Sequence, residues 1–80
     1  MKKITIQYYA VLREERGVSQ EIIETSVQTL FELYNELQVR YKFKLTVESL
    51  KVAVNDSFSD WQYSFKDGDV IVFIPPVSGG

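Results

Sequence analysis

The residues best suited to chemistry are the last two, Gly79 and Gly80. Glycine has no Cβ, so a backbone ending in a glycine pair can pass through a narrow channel and closely approach a reacting phosphate. The carboxylate of Gly80 is a group that another enzyme can activate as an acyl-adenylate and hand to a nucleophile. Val77 and Ser78 precede the pair. Before them, Pro75 and Pro76 hold the chain extended and offer no amide hydrogen to a neighbouring strand. A segment with so little side chain has little to bury. Residues 75–80 therefore read as a projecting tail on a domain of residues 1–74.

Few other chemistries are open to the chain. It contains no Cys and no His, which removes disulfides, thiol nucleophiles, imidazole bases and the usual zinc sites. The carboxylates Glu14, Glu15, Asp56, Asp60, Asp67 and Asp69 fall in turns and loops, where solvated charge is the ordinary explanation. They receive neither a metal nor a catalytic role. A net charge of −2, with nine basic residues spread along the chain, gives no groove for nucleic acid. No apolar run approaches the roughly 20 residues of a membrane span. After Met1-Lys2-Lys3 come Thr5 and Gln7, and Arg13 precedes any small-residue cleavage site, so no secretory signal is read. The absence of disulfides fits a cytoplasmic location.

The tail needs a platform, and the 80 residues are enough for one domain. Ile4, Ile6 and Tyr8 alternate with Thr5, Gln7 and Tyr9, which predicts a strand with one buried face. Ala10 to Gly17 reads as a polar connection. Gln20 to Thr25 reads as a second strand in an antiparallel hairpin. Val27, Leu30, Phe31, Tyr34, Leu37 and Tyr41 then recur at offsets of three and four, the stripe of an amphipathic helix. Ser26 is the expected N-cap, with Thr29 and Glu32 a competing capping box. Leu50 to Val54 is a third strand, and Asn55-Asp56-Ser57 a turn. Residues 58–65 are irregular, and Lys66 to Asp69 is a tight turn. Val70 to Ile74 is apolar on both faces, the signature of a central strand. The order predicts an α+β fold: a β-grasp, or ubiquitin-like, mixed sheet of four to five strands with one main helix on one face.

The chain resembles the small subunits of molybdopterin synthase, a family of ubiquitin-like sulfur carriers. The resemblance runs from Ile4 to Gly80. It rests on Tyr9-Ala10-Val11-Leu12-Arg13-Glu14, on Ser26-Val27 before Leu30, on Ala53-Val54-Asn55 and on Asp67-Gly68-Asp69. Its strongest part is Phe73-Ile74-Pro75-Pro76-Val77-Ser78-Gly79-Gly80. Gly-Gly alone fits every ubiquitin-like carrier, whereas Pro-Pro-Val-x-Gly-Gly after an apolar strand is far more specific. Tyr9 and Ile74 stand where other members often have phenylalanine.

The resemblance implies a function. An ATP-dependent, E1-like activating enzyme would adenylate Gly80, and sulfur would replace one oxygen to give a thiocarboxylate. The charged carrier would dock on the large synthase subunit and give its sulfur to cyclic pyranopterin monophosphate, in molybdenum-cofactor synthesis. The assembly would be a heterotetramer. The carrier itself would bind no cofactor and contribute no catalytic side chain.

A docking surface is also expected from the residues. If Ile71 and Phe73 face the helix with Ile4, Ile6 and Tyr8, then Val72, Ile74 and Tyr9 are left on the other face. Phe58 could join them at the root of the tail. The competing arrangement has residues 58–65 folded over this face. The expected partner contacts are Tyr9, Phe58, Ile74 and the tail residues Pro75 to Ser78, with Arg13 and Val72 as secondary candidates. Alternatives within the same chemistry are carriers for thiamine thiazole or for thiolated transfer RNA. A ubiquitin-like protein modifier and a plain interaction domain complete the set.

Overall fold

A computed structural model of the chain describes residues 1–76. The element order is β1 (Lys2–Tyr8), α1 (Ala10–Arg16), β2 (Gln20–Thr25), α2 (Leu30–Tyr41), a 3₁₀ turn (Val47–Ser49), β3 (Lys51–Val54), β4 (Ser57–Ser59) and β5 (Val70–Ile74). The five strands form one mixed sheet in the order β2-β1-β5-β3-β4. β5 lies in the middle, parallel to β1 and antiparallel to β3. This is the β-grasp arrangement, and the doubly apolar strand is central as its pattern predicts.

α2 covers one face of the sheet. Leu30, Leu33, Tyr34 and Leu37 are buried from the helix side; Ile4, Ile6, Tyr8, Val52, Ile71 and Phe73 are buried from the sheet side. Each fully buried side chain of this size contributes about 1.5–3 kcal/mol. Tyr34 stands edge-on to Phe73, with ring centroids 5.1 Å apart. The Tyr34 hydroxyl donates to the Leu45 carbonyl at 2.8 Å, and Gln38 Nε2 donates to the same oxygen at 2.9 Å. These two bonds tie the loop after α2 to the helix.

Several local expectations are corrected. The segment after β1 is a helix, not a polar connection. Ala, Leu, Arg and Glu favour helix, and Gly17 closes it in the left-handed region at φ 89°. Because α1 buries only Leu12, it leaves no apolar stripe in the sequence. The fold therefore adds this short helix to the one main helix expected.

The cap of α2 is Thr29, not Ser26. Thr29 Oγ1 accepts from the Glu32 amide at 3.2 Å, and Glu32 Oε1 accepts from the Thr29 amide at 3.0 Å. The returning chain fixes this start. Phe65 N–H donates to the Gln28 carbonyl at 3.2 Å, Thr29 bridges Ser64, and Leu30 N–H donates to the Tyr63 carbonyl at 3.1 Å. With the Gln28 carbonyl taken by Phe65 and Thr29 bridged to Ser64, residues 28 and 29 stay out of the helix, which starts at Leu30. Val27 accordingly lies outside the helix, Phe31 is 41% exposed, and Leu33 takes the buried place.

Asn55 and Asp56 both have positive φ, 50° and 73°. They make the two-residue turn whose twist suits a tight hairpin, and β4 follows directly. Asp69 is buried rather than solvated. It accepts from the Lys66 amide at 2.8 Å and from Asn55 Nδ2 at 3.0 Å. Asp67 accepts from the Lys3 amide at 2.7 Å. The 66–69 turn is thus stitched to β1 and to the β3–β4 hairpin. Among the described residues, no helix is long and apolar enough to cross a membrane.

Candidate functional site

The described chain ends at the root of the tail, and the site is built there. β5 is held on both sides, with Tyr8 beside Phe73 on β1 and Val52 beside Phe73 on β3. Alternation along β5 sends Ile71 and Phe73 under α2 and leaves Val72 and Ile74 half-buried on the open face. Partners opposite one another in a ladder share a face. Gln7, Val72, Ala53 and Phe58 therefore form one row across β1, β5, β3 and β4. Lys51 stands opposite Ile74 in the next row. Apolar groups fill the β5-β3-β4 half of the face, while Thr5 and Gln7 make its β1 side polar.

Phe58 is 74% exposed on the short edge strand, and its neighbour Ala53 is covered. Tyr9 follows β1 with extended backbone, φ −128° and ψ 154°. The alternation thus continues through it, and Tyr9 points away from buried Tyr8. The β1–β5 register ends with Tyr8 opposite Phe73, so Tyr9 is the first residue beyond it, as Ile74 is on β5. It is half exposed. Tyr9, Val72, Ile74 and Phe58 thus share one face, with Ile74 leading into Pro75 and Pro76.

Of residues 58–65, only Phe58 lies on that face, and it does so as an exposed edge residue; the chain from Trp61 to Phe65 turns to the helix side, where the Trp61 carbonyl accepts from the Phe31 amide at 2.9 Å. The Trp61 ring lies parallel to Phe73, with 7° between planes and centroids 6.0 Å apart. Trp61 closes the rim of the core.

Pro75 departs from the expected free tail. It is buried, and exposure begins at Pro76. A cleft of about 270 Å³ runs beside them, lined mainly by Leu50, Lys51, Ile74, Pro75 and Pro76. Val77, Ser78, Gly79 and Gly80 lie outside the described residues.

Arg13 is exposed on α1, and a polar cluster at the other end of that helix had no signature in the sequence. Arg16 donates from Nη2 to Glu21 Oε1 at 2.7 Å and from Nε to Oε2 at 2.9 Å. The Tyr8 hydroxyl donates to the same Oε2 at 2.6 Å. The Arg16 guanidinium lies 4.1 Å from the centre of the Tyr41 ring. Arg16, the surrounding donors and their charge hold the Glu21 carboxyl below its ordinary range, against the opposing effect of burial. Burial, reinforced by Glu21, pushes the Tyr8 phenol up. Arg16 and Glu21 are near in sequence but sit on different elements, α1 and β2, while Tyr8 and Tyr41 come from β1 and α2, so no local periodicity joins the four.

α1 has little else to hold it. Burying Leu12 contributes about 2 kcal/mol. Ala10, its first residue, has φ 51°, which costs an L-residue about 1–2 kcal/mol. Glu15 Oε1 is buried with no hydrogen-bond partner among the described residues. The Arg16–Glu21 pair is therefore a large share of what fixes α1.

The model of the ThiS family matches residues 6–80. No curated protein matches the chain. Among solved structures, a Pyrococcus furiosus protein designated molybdopterin converting factor, subunit 1, is 31% identical with a TM-score of 0.81, over 96% of this chain and 100% of that one. A chain in the Helicobacter pylori complex of subunits 1 and 2 of molybdopterin-converting factor is 29% identical with a TM-score of 0.69, over 98% and 99%. The small archaeal modifier protein 1 of Haloferax volcanii has a TM-score of 0.80 over 96% and 100%; at 15% identity it shows the shared fold alone.

Proposed function

The chain belongs to the ThiS family, and from that premise we propose that it is the sulfur-carrying small subunit of a molybdopterin synthase. The Gly80 carboxylate attacks the α-phosphate of ATP on an activating enzyme, diphosphate leaves, and an acyl-adenylate forms. Hydrosulfide-level sulfur attacks the acyl carbon and AMP leaves, giving a thiocarboxylate. The carrier then docks on the large synthase subunit, the thiocarboxylate sulfur bonds to a carbon of cyclic pyranopterin monophosphate, and water cleaves the remaining bond from that sulfur to the Gly80 acyl carbon, regenerating the carboxylate. Gly79 gives the backbone clearance in each pocket.

One observation carries this reading: the central strand β5 leads directly to Pro76 beside an open apolar face. The clamped strand gives the tail a fixed origin, and the face gives a partner something to grip. Tyr9, Phe58 and Ile74 are the docking contacts, with Val72 between them and Arg13 at the margin. Pro76, Val77 and Ser78 follow the partner's channel, while buried Pro75 sets the exit direction. The Helicobacter pylori relative is a subunit of a two-subunit converting factor, which supports a paired role here.

The test is intact-mass analysis of the chain incubated with ATP, an activating enzyme and a sulfur source. An oxygen-to-sulfur exchange on Gly80, followed by molybdopterin formation with a large subunit, is the expected result. Conjugates to lysine would instead mark a protein modifier. Sulfur delivery only to a thiazole synthase would mark a thiamine carrier.

A further inference from the structure

We propose that Arg16 and Glu21 are positioning residues for the docking face: their ion pair holds α1 in a strained placement that presents Tyr9. The inference rests on the docking role given to Tyr9 above. Its geometry comes from the two ends of α1.

At the first end, Tyr9 is the residue before the helix, and its carbonyl accepts from the Leu12 and Arg13 amides at 3.1 and 3.4 Å. The next residue, Ala10, sits at φ 51°. An L-residue leaves that region when nothing holds it there. Ala10 is exposed, so its own side chain supplies no compensating burial.

At the second end, Glu21 on β2 takes both arms of Arg16. The same carboxylate takes the hydroxyl of Tyr8, whose neighbour in sequence is Tyr9. One carboxylate thus ties the end of α1 to the strand that leads into its start. Leu12 is the only buried residue between the two ends. Releasing the carboxylate lets the Tyr9–Ala10 junction relax, and Tyr9 swings from its place at the end of β1. β5 and Phe58 make no use of this clamp and keep their positions.

Four chains decide the matter: the parent, Glu21→Gln, Ala10→Gly and the double variant. Gln keeps the shape of Glu but loses the charge. Gly at position 10 removes the penalty for positive φ. All are measured well below their melting temperatures, so differences in global stability do not enter the affinity. Hydrogen exchange is read at the Leu12 and Arg13 amides against those of Val72 and Phe73. Affinity is read by calorimetry against purified molybdopterin synthase large subunit.

Glu21→Gln is expected to speed exchange at Leu12 and Arg13 alone and to weaken binding about tenfold, which is ~1.4 kcal/mol. Ala10→Gly alone leaves binding within about twofold of the parent, and in the Glu21→Gln background it restores binding to that level. A merely structural ion pair would not give this crossed rescue. Arg16→Lys keeps the charge but loses the fork; it replaces Glu21→Gln if the latter does not fold. Unchanged exchange at Leu12 and Arg13, or unchanged affinity in Glu21→Gln, overturns the proposal, as does failure of Ala10→Gly to rescue. If the parent itself does not bind, the docking reading fails, and exchange alone still decides whether the clamp holds α1.

Discussion

The side-chain amide of Asn55 donates to Asp69 Oδ1 at 3.0 Å, while Asn55 Oδ1 accepts from the Val70 amide at 2.9 Å. One residue thus closes the β3–β4 turn at positive φ and also fastens the start of β5. Asn tolerates the left-handed region better than most residues. Asn55→Ala is expected to lose about 1–3 kcal/mol, because Asp69 is buried and would lose a donor. Urea unfolding reads the loss. A change below about 0.5 kcal/mol would show that the two turns are independent.

The helix cap gives a second comparison. Thr29→Ala should cost about 1 kcal/mol through loss of the reciprocal cap, while Ser26→Ala should stay within about 0.5 kcal/mol. The backbone amides of Thr29 and Gln28 hold the Glu32 carboxyl below its ordinary value. Thr29→Ala keeps both of those amides, so the Glu32 carboxyl should stay below its ordinary value, as NMR of the carboxyl carbon would reveal. Equal losses at positions 26 and 29 would contradict the assigned cap.

The third prediction concerns pH. Glu21 is held below its ordinary value of 4.5, so the folded state prefers the ionised carboxylate. Such a group stabilises the fold above that value, and its contribution is lost as the pH falls through the lowered native pKa. At neutral pH, Glu21→Gln should therefore be less stable by about 1–3 kcal/mol, the worth of charged hydrogen bonds. Below the native pKa of Glu21 the difference should shrink. Thermal melts of both chains between neutral and strongly acidic pH test the sign, and a difference that grows on acidification would refute it.

The open face supplies the fourth. Phe58→Asp and Ile74→Asp place charge on residues that the isolated domain leaves partly exposed. Phe58→Asp should cost less than about 1 kcal/mol of stability, Ile74→Asp somewhat more, since Ile74 is half-buried beside Lys51. Both should weaken docking on the large subunit by at least about tenfold, whereas Ile22→Asp, on the polar side of the same face, should not. Calorimetry on the three variants reads the pattern. Equal loss from Ile22→Asp would mean that the footprint lies elsewhere.

Much of this was legible in the chain itself, for reasons tied to particular residues. Ile4, Ile6 and Tyr8 alternate because one face of β1 is buried. Val70 to Ile74 is apolar throughout because β5 is central. The split of β5 into a buried pair, Ile71 and Phe73, and an outward pair, Val72 and Ile74, follows from period two once the helix takes one face. α1 was hidden because a helix that buries only Leu12 has no periodic stripe. Ser26 does not cap α2 because the helix start depends on residues 63–65, which sequence spacing does not bring near.

By itself, then, the sequence determined the β-grasp class of the fold, the central place of β5 and the two faces of that strand, and it supplies the Gly-Gly ending on which the proposed chemistry rests. These depend on local periodicity and residue type, which act over a few positions. The tertiary structure alone decided that residues 61–65 pack toward α2 and leave the opposite face of the sheet open. It also decided that Pro75 is buried, and that Arg16, Glu21, Tyr8 and Tyr41 meet at one carboxylate. Those outcomes are contacts between elements distant in sequence, chosen by which packing buries the most apolar surface while leaving each buried polar group a partner.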